Sequence, residues 1–102
     1  EESIIFICLL DNIAVGFTQL YPTFCSVDAC RIFVLYDLYV ISSHRRAGIG
    51  SALMSAAKTY ANTNGASRLD LETEITNYVA QALYSKLGYQ RDTNFYKYSL
   101  EL

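Results

Sequence analysis

Residues 39–54, YVISSHRRAGIGSALM, run from an apolar strand-like stretch through a glycine-bearing turn into an amphipathic helix. The first turn of a helix has four N–H groups without intrahelical partners and carries the positive end of the macrodipole. A strand that enters a helix through such a turn aims those N–H groups at one place, and phosphate is the natural ligand there. Gly48 and Gly50 lack Cβ atoms, which lets ligand oxygens approach the main chain and admits φ angles closed to other residues. Arg45 and Arg46 add positive charge beside the turn.

The rest of the chain arranges itself around that turn. Residues 3–10 and 13–20 are apolar, β-branched-rich runs separated by Asp11-Asn12, a pair that tolerates the positive φ of a tight hairpin, so the two runs should pair antiparallel. Pro22 is expected to end the second run, and residues 23–29 read as a loop. Residues 31–41 alternate Ile32, Val34, Leu38 and Val40 with Phe33, Leu35 and Tyr39, the pattern of a central strand covered on both sides and broken only by Asp37. After the turn, Ile49, Leu53, Ala57 and Tyr60, widened by Met54 and Ala56, predict a helix of about three to four turns, with Asn64-Gly65 as its stop. Leu69, Leu71 and Thr73 alternate with Asp70, Glu72 and Glu74 as a strand with one acidic face. A second helix opens at Asn77, carries Val79, Leu83 and Leu87 on one side and ends at Gly88. Residues 95–102 alternate again and read as a terminal strand. The order is β-β-β-α-β-α-β, with a right-handed parallel crossover across the glycine turn.

Length and composition narrow the function classes. A chain of 102 residues with 52% hydrophobic content fills one modest core, so residues 1–102 are expected to form a single domain. Eight basic against ten acidic groups give a net charge of −2, no footprint for nucleic acid or anionic lipid. Cys8, Cys25 and Cys30 lack CxxC spacing and His44 is the sole histidine, so neither a disulfide framework nor a metal site is expected. The free cysteines read as small core fillers. The apolar run 4–10 is shorter than a membrane span and follows Glu1 and Glu2, not a basic stretch, so a cytoplasmic protein without membrane contact is expected. The chain opens without methionine and enters a strand almost at once, which suggests that residues upstream have been removed.

Arg45-x-x-Gly48-x-Gly50 after the strand ending at Val40, followed by Asn77-x-x-Ala80-x-x-Leu83-Tyr84-x-x-Leu87-Gly88-Tyr89, resembles the acetyl-coenzyme A signature of the GNAT superfamily of N-acetyltransferases. The resemblance covers almost the whole chain, and two motifs at this separation are more specific than either alone. It implies an α/β (α+β) fold with a mixed, mostly antiparallel central sheet and flanking helices. It also implies that the first strand and two helices of the family precede the residues present here. The cosubstrate it implies is acetyl-CoA, its pyrophosphate held by the backbone of Arg46, Ala47, Gly48, Ile49, Gly50 and Ser51, with Arg45 beside it as a phosphate contact. Arg46 stands where family members commonly have glycine. Val40 would offer the backbone N–H that contacts the thioester oxygen, and Asn77 and Tyr84 would complete the cosubstrate site. Tyr84 would protonate the departing thiolate.

Each of these residues has a plainer role beside it. Asn77 caps a helix whether or not it meets a ligand, and the two roles can coexist. Tyr84 is one of nine tyrosines, for which packing is the default. Asp37 is a lone charge in an apolar run, where burial costs several kcal/mol unless it is paired or opens onto a polar cleft. It either forms an ion pair with Arg31 or Arg91 or faces a cationic acceptor, and as general base it alternates with water. Glu72 and Glu74 are either a solvated strand face or share that work. The reaction implied is direct acetyl transfer to a small-molecule primary amine, with diamines or polyamines ahead of neutral or anionic acceptors. The alternative is a non-catalytic acyl-CoA-binding module without a complete acceptor site. An exposed apolar edge on the first hairpin further predicts a homodimer.

Overall fold

The computed structural model describes residues 3–25, 30–45, 48–94 and 96–102. They form β1 (Ile4–Leu10), β2 (Ile13–Cys25), β3 (Cys30–Val40), a 3-10 turn (Ser42–His44), α1 (Ile49–Thr63), β4 (Arg68–Leu71) and α2 (Tyr78–Lys86). The chain divides into two compact units, Glu1–Glu72 and Thr73–Leu102.

In the first unit the sheet order is β1-β2-β3-β4. β1, β2 and β3 pair antiparallel in sequence, and β4 joins β3 in parallel after the α1 crossover. Asp11 and Asn12 turn the hairpin with φ of 52° and 65°, the left-handed pair that a two-residue hairpin requires. Two bulges re-aim the strands. The register of β1 with β2 shifts between Cys8 and Leu9, where Cys8 pairs with Gly16 and Leu9 with Ala14, leaving Val15 as the extra residue. That of β2 with β3 shifts between Thr18 and Gln19, which pair with Leu38 and Tyr36 and leave Asp37 out. An extra residue reverses the side-chain phase of its strand. Leu35 and Leu38 therefore lie on the same face although three residues apart, and β3 is not the unbroken alternation read from its sequence.

α1 covers that face. Ile49 and Leu53 pack with Val15, and Phe6, Cys8, Leu38, Val40 and Ile41 close around them. Further along the helix, Tyr60 meets Phe6 and Phe33 edge-on at centroid distances of 5.7 and 5.6 Å. Gly16 allows the close approach: a Cβ there would lie 2.9 Å from the Tyr39 carbonyl and 3.1 Å from the Ile49 side chain. Gly65, at φ 75°, ends α1, and Ala66 N–H returns to the Ala61 carbonyl at 3.0 Å.

Three strand boundaries differ from expectation. β2 runs through Pro22 to Cys25, because beyond Leu20, the partner of Ile4, it pairs with β3 alone and a missing N–H on the free side costs no ladder bond. β4 stops at Leu71 rather than continuing to Glu74, since its ladder with β3 ends at Leu35, just short of the bulge at Asp37. Glu72 and Glu74 are thus not on a strand face. Residues 96–102 carry no ladder, and Tyr96, Tyr98, Leu100 and Leu102 are at least 84% exposed. Alternation encodes an extended segment but not a partner, and these side chains gain no burial; Phe95 lies outside the described residues.

In the second unit, α2 has no buried residue and Val79 is 82% exposed, so the predicted apolar side is weak. Gly88, at φ 94°, follows the helix as expected.

Candidate functional site

The end of β3 and the start of α1 build the phosphate turn. Gly48 holds φ 79° and ψ 7° at the N-cap of α1, a left-handed conformation that costs a residue with a Cβ about 1–2 kcal/mol. No side chain caps the helix and no acidic residue stands in its first turn. The first intrahelical bond runs from Ala52 N–H to the Gly48 carbonyl at 3.0 Å. The N–H groups of Ile49, Gly50 and Ser51 precede it and have no place in the helical ladder. Among the described residues, a Cβ on Gly48 would meet nothing within 4 Å. An anion with several oxygens fits these donors. Arg46 and Ala47 lie outside the described residues.

The edge of β3 that faces away from β2 forms the neighbouring feature. Ile41 N–H donates to the Val15 carbonyl at 2.9 Å, toward β2. Because successive residues of a strand turn their polar groups to opposite edges, the N–H and C=O of Val40 face the open edge. β4 does not fill it, since β3 and β4 are joined only from Ile32 to Leu35. The Val40 carbonyl accepts a hydrogen bond from Arg45 Nε at 3.0 Å, and the Arg45 guanidinium lies 5.9 Å from the Tyr39 ring centroid. Arg45 was expected to meet phosphate; its side chain turns back onto the strand instead.

Asp37 is exposed and sits in the bulge with φ 56°, one of the few left-handed non-glycine positions. Aspartate tolerates this conformation better than most residues. Among the described residues of the first unit it forms no ion pair: Arg31 stacks over Phe33 at 5.2 Å, and Arg68 bridges to Asp70 at 2.8 Å. Asp37 borders an open concavity of about 460 Å³ with Gln19, Tyr21, Thr23, Val34 and Tyr36, on the sheet face opposite α1. Tyr21 and Tyr36 meet edge-on at 5.0 Å within it. Asp70, one of the three acidic positions expected along β4, accepts from Arg68 Nε–H at 2.8 Å and Nη2–H at 3.3 Å.

In the second unit, the Asn77 side chain accepts from Ala80 N–H at 3.1 Å, an ordinary N-cap. Gln81 Nε2 donates to the Glu74 and Ile75 carbonyls at 3.1 and 3.0 Å and ties the loop before the helix to it. Tyr84 is half-buried beside Tyr89, with ring centroids 6.0 Å apart, and Tyr89 N–H bonds the Tyr84 carbonyl. Burial pushes the Tyr84 hydroxyl pKa above its ordinary 10.0, and burial together with Tyr84 does the same for Tyr89.

Among the described residues no group of His, Cys, Asp and Glu could hold a metal ion, and no helix is long and apolar enough to cross a membrane. Sequence reasoning missed Gly16 and Tyr39. A lone glycine inside a strand marks a bulge or a close backbone approach, which was available as a signal for Gly16; the ring of Tyr39 beneath Arg45 had none.

Comparisons with known proteins bear on the whole arrangement. The family model described as Acetyltransferase (GNAT) family matches residues 1–89. The chain is 48% identical over its full 102 residues to the uncharacterized N-acetyltransferase YhfO of Bacillus subtilis (strain 168), of which it covers 68%. It superposes on the crystal structure of a probable acetyltransferase with a TM-score of 0.90 and 36% identity, over 99% of this chain and 68% of that one. AAC(6')-Iy, solved in complex with the bisubstrate analog CoA-S-monomethyl-acetylneamine, superposes with a TM-score of 0.84 over 98% of this chain and 70% of that one. At 21% identity that likeness speaks for the fold alone. The chain spans about two thirds of each of these proteins, and only 23% of N-alpha-acetyltransferase 30 of Xenopus laevis, which it matches at 45% identity over 64 residues. With the uncapped glycine turn and the open strand edge beside it, the chain belongs to the GNAT family of acetyltransferases, enzymes that use acetyl-CoA.

Proposed function

We propose that the protein of which this chain is part moves an acetyl group from acetyl-CoA to a primary amine by direct attack within a ternary complex. The observation that carries the reading is the turn at Gly48, where three uncapped N–H groups suit a pyrophosphate. In this reading the amides from residue 46 to Ser51 hold the cosubstrate. The Val40 N–H, on the open edge of β3, stabilises the oxyanion that develops on the thioester carbonyl. Tyr84 gives its proton to the departing thiolate; a hydroxyl whose pKa is raised by burial stays protonated at neutral pH, as an acid must. Asn77 orders the start of α2 and through it the position of Tyr84.

The acceptor enters as an ammonium and must lose a proton before it attacks. Asp37, with no ion-pair partner among the described residues of its unit and bordered by Tyr21 and Tyr36, is the group we assign to attract it and, directly or through water, to take that proton. Diamines and polyamines belong to the acceptor class, although Asp70 is engaged by Arg68 and leaves Asp37 as the principal anchor. A symmetric homodimer in the cytoplasm goes with this reading. Among the described residues β1 is an edge strand, with Ile5, Ile7 and Leu9 55–57% exposed; light scattering of the full-length protein tests whether a second copy pairs with it, and a stable monomer at micromolar concentration contradicts it.

The function is tested by thiol release from acetyl-CoA with a panel of primary amines, neutral amino compounds and anionic amines, using the full-length protein. Release that depends on a cationic primary amine supports acetyl transfer. Tight acetyl-CoA binding without release for any acceptor would show the non-catalytic acyl-CoA-binding module instead.

A further inference from the structure

We propose that Arg45 is a positioning residue for the oxyanion contact at Val40, and not a phosphate ligand. The inference rests on the role assigned to the Val40 N–H above. The Val40 N–H and C=O share the open edge of β3, because the next N–H, that of Ile41, is spent on the Val15 carbonyl. A thioester oxygen approaching that N–H therefore also approaches a carbonyl dipole of the wrong sign. Arg45 meets that problem directly. Its Nε–H donates to the Val40 oxygen at 3.0 Å, so the carbonyl is occupied by a cation where no β4 residue pairs with it. A charged donor also strengthens the bond relative to a neutral one.

The guanidinium is held there from a second side. It lies 5.9 Å from the centroid of Tyr39, whose ring in turn sits 6.2 Å from that of Phe17, its register partner on β2. Arginine suits the place because its planar group stacks on a ring while its Nε–H donates sideways in the guanidinium plane. Between Val40 and Arg45 the chain makes the 3-10 turn at Ser42–His44, with His44 N–H on the Ile41 carbonyl at 3.0 Å and Arg45 N–H on the Ser42 carbonyl at 3.5 Å. The side-chain bond thus closes a five-residue loop and fixes the end of β3 relative to the start of the phosphate turn.

Three variants of the full-length protein, R45M, R45Q and R45K, separate this role from phosphate binding when kcat and the acetyl-CoA KM are measured at low and high salt. R45M should lose about tenfold in kcat with little change in acetyl-CoA KM, since the lost interaction acts on charge that develops in the transition state. R45Q, which keeps an N–H for the Val40 carbonyl, should recover part of that loss although it has no charge. The salt dependence of KM should match wild type in both. A KM raised equally in R45M and R45Q, with kcat intact, a flatter salt dependence and restoration by R45K, would make Arg45 a phosphate ligand and overturn the proposal. Should the wild-type protein turn over no acceptor, the reaction assigned above fails, and the Arg45 contact is read from the ¹³C carbonyl resonance of Val40 without ligand. That resonance should move in R45M and stay near its wild-type position in R45Q; no movement in R45M would refute the contact.

Discussion

The two α-helices begin in opposite ways. α1 opens at Gly48 in a left-handed conformation with no side-chain cap, while α2 opens at Asn77, whose side chain accepts the Ala80 N–H at 3.1 Å. Both starts face the same demand, since the first N–H groups of a helix need partners from outside its own ladder. α2 satisfies part of that demand internally and gains stability. α1 leaves its donors available, and glycine at its N-cap gives up the side-chain bond that asparagine supplies. The difference teaches that a helix start without a side-chain cap keeps donors free for an outside partner, which the proposed pyrophosphate would supply.

The comparison breaks most visibly at Gly48. A glutamate there brings both left-handed strain and a carboxylate in front of donors meant for pyrophosphate, so Gly48→Glu should abolish acetyl-CoA binding in calorimetry; unchanged affinity would remove the turn from the site. Gly48→Asn sharpens the same point. Asparagine accepts the left-handed angle and can cap α1, so it should hold or raise Tm while lowering acetyl-CoA affinity, the reverse of a substitution that merely unfolds the turn.

In the proposed reaction the functional weight within the second helix falls on Tyr84 and not on the cap. Tyr84→Phe should lower kcat roughly 10²-fold with acetyl-CoA binding nearly intact. With Tyr84 as the acid, its upward-shifted pKa should set the alkaline side of the wild-type rate profile. The acid form persists through neutral pH, and the rate should fall only as pH climbs beyond 10.0. The same upward shift favours the folded state below that value and is lost as pH rises through the folded pKa, so alkaline unfolding should begin in this range. A pH profile of Tyr84→Phe that keeps the wild-type alkaline limb would return this tyrosine to packing.

A smaller effect is expected on the acceptor side. Asp37→Asn keeps a residue that tolerates φ 56° and removes only the charge, so KM for cationic amines should rise about tenfold, while neutral acceptors change little. Equal acetylation of anionic and cationic amines would show that Asp37 serves the bulge alone. The smallest effect belongs to Asn77→Ala, which should cost about 1 kcal/mol of stability, read by thermal unfolding, and shift acetyl-CoA affinity less than twofold.

How much of this was legible in the residues depended on whether the signal was local. The glycine turn, the Asp11-Asn12 hairpin, the α1 stripe and the Asn77 cap are set by neighbours a few positions apart, and all stand where the sequence places them. Pairing beyond the first hairpin and the parallel crossover was not legible. Whether Pro22 ends a strand depends on which edge of β2 is free, and whether residues 96–102 join a sheet depends on a partner that alternation does not name. Asp37 shows the limit most clearly. Its isolation in an apolar run pointed to a special position, but the bulge that explains it exists only in the register between Thr18–Gln19 and Tyr36–Leu38. For Arg45 the charge alone points to an anion, while the Nε–H contact with the Val40 carbonyl depends on an edge that the end of the β4 ladder leaves open.

The contrast between the two helix starts is tested most directly by titrating acetyl-CoA into the ¹⁵N-labelled full-length protein and following the backbone amides of both. The account predicts that the resonances of Gly48, Ile49, Gly50 and Ser51 move together and saturate with the calorimetric affinity, while that of Ala80, held by the Asn77 side chain, moves far less. Acetyl-CoA that binds with Gly48 to Ser51 unmoved, or that shifts Ala80 as strongly as the α1 amides, would contradict it.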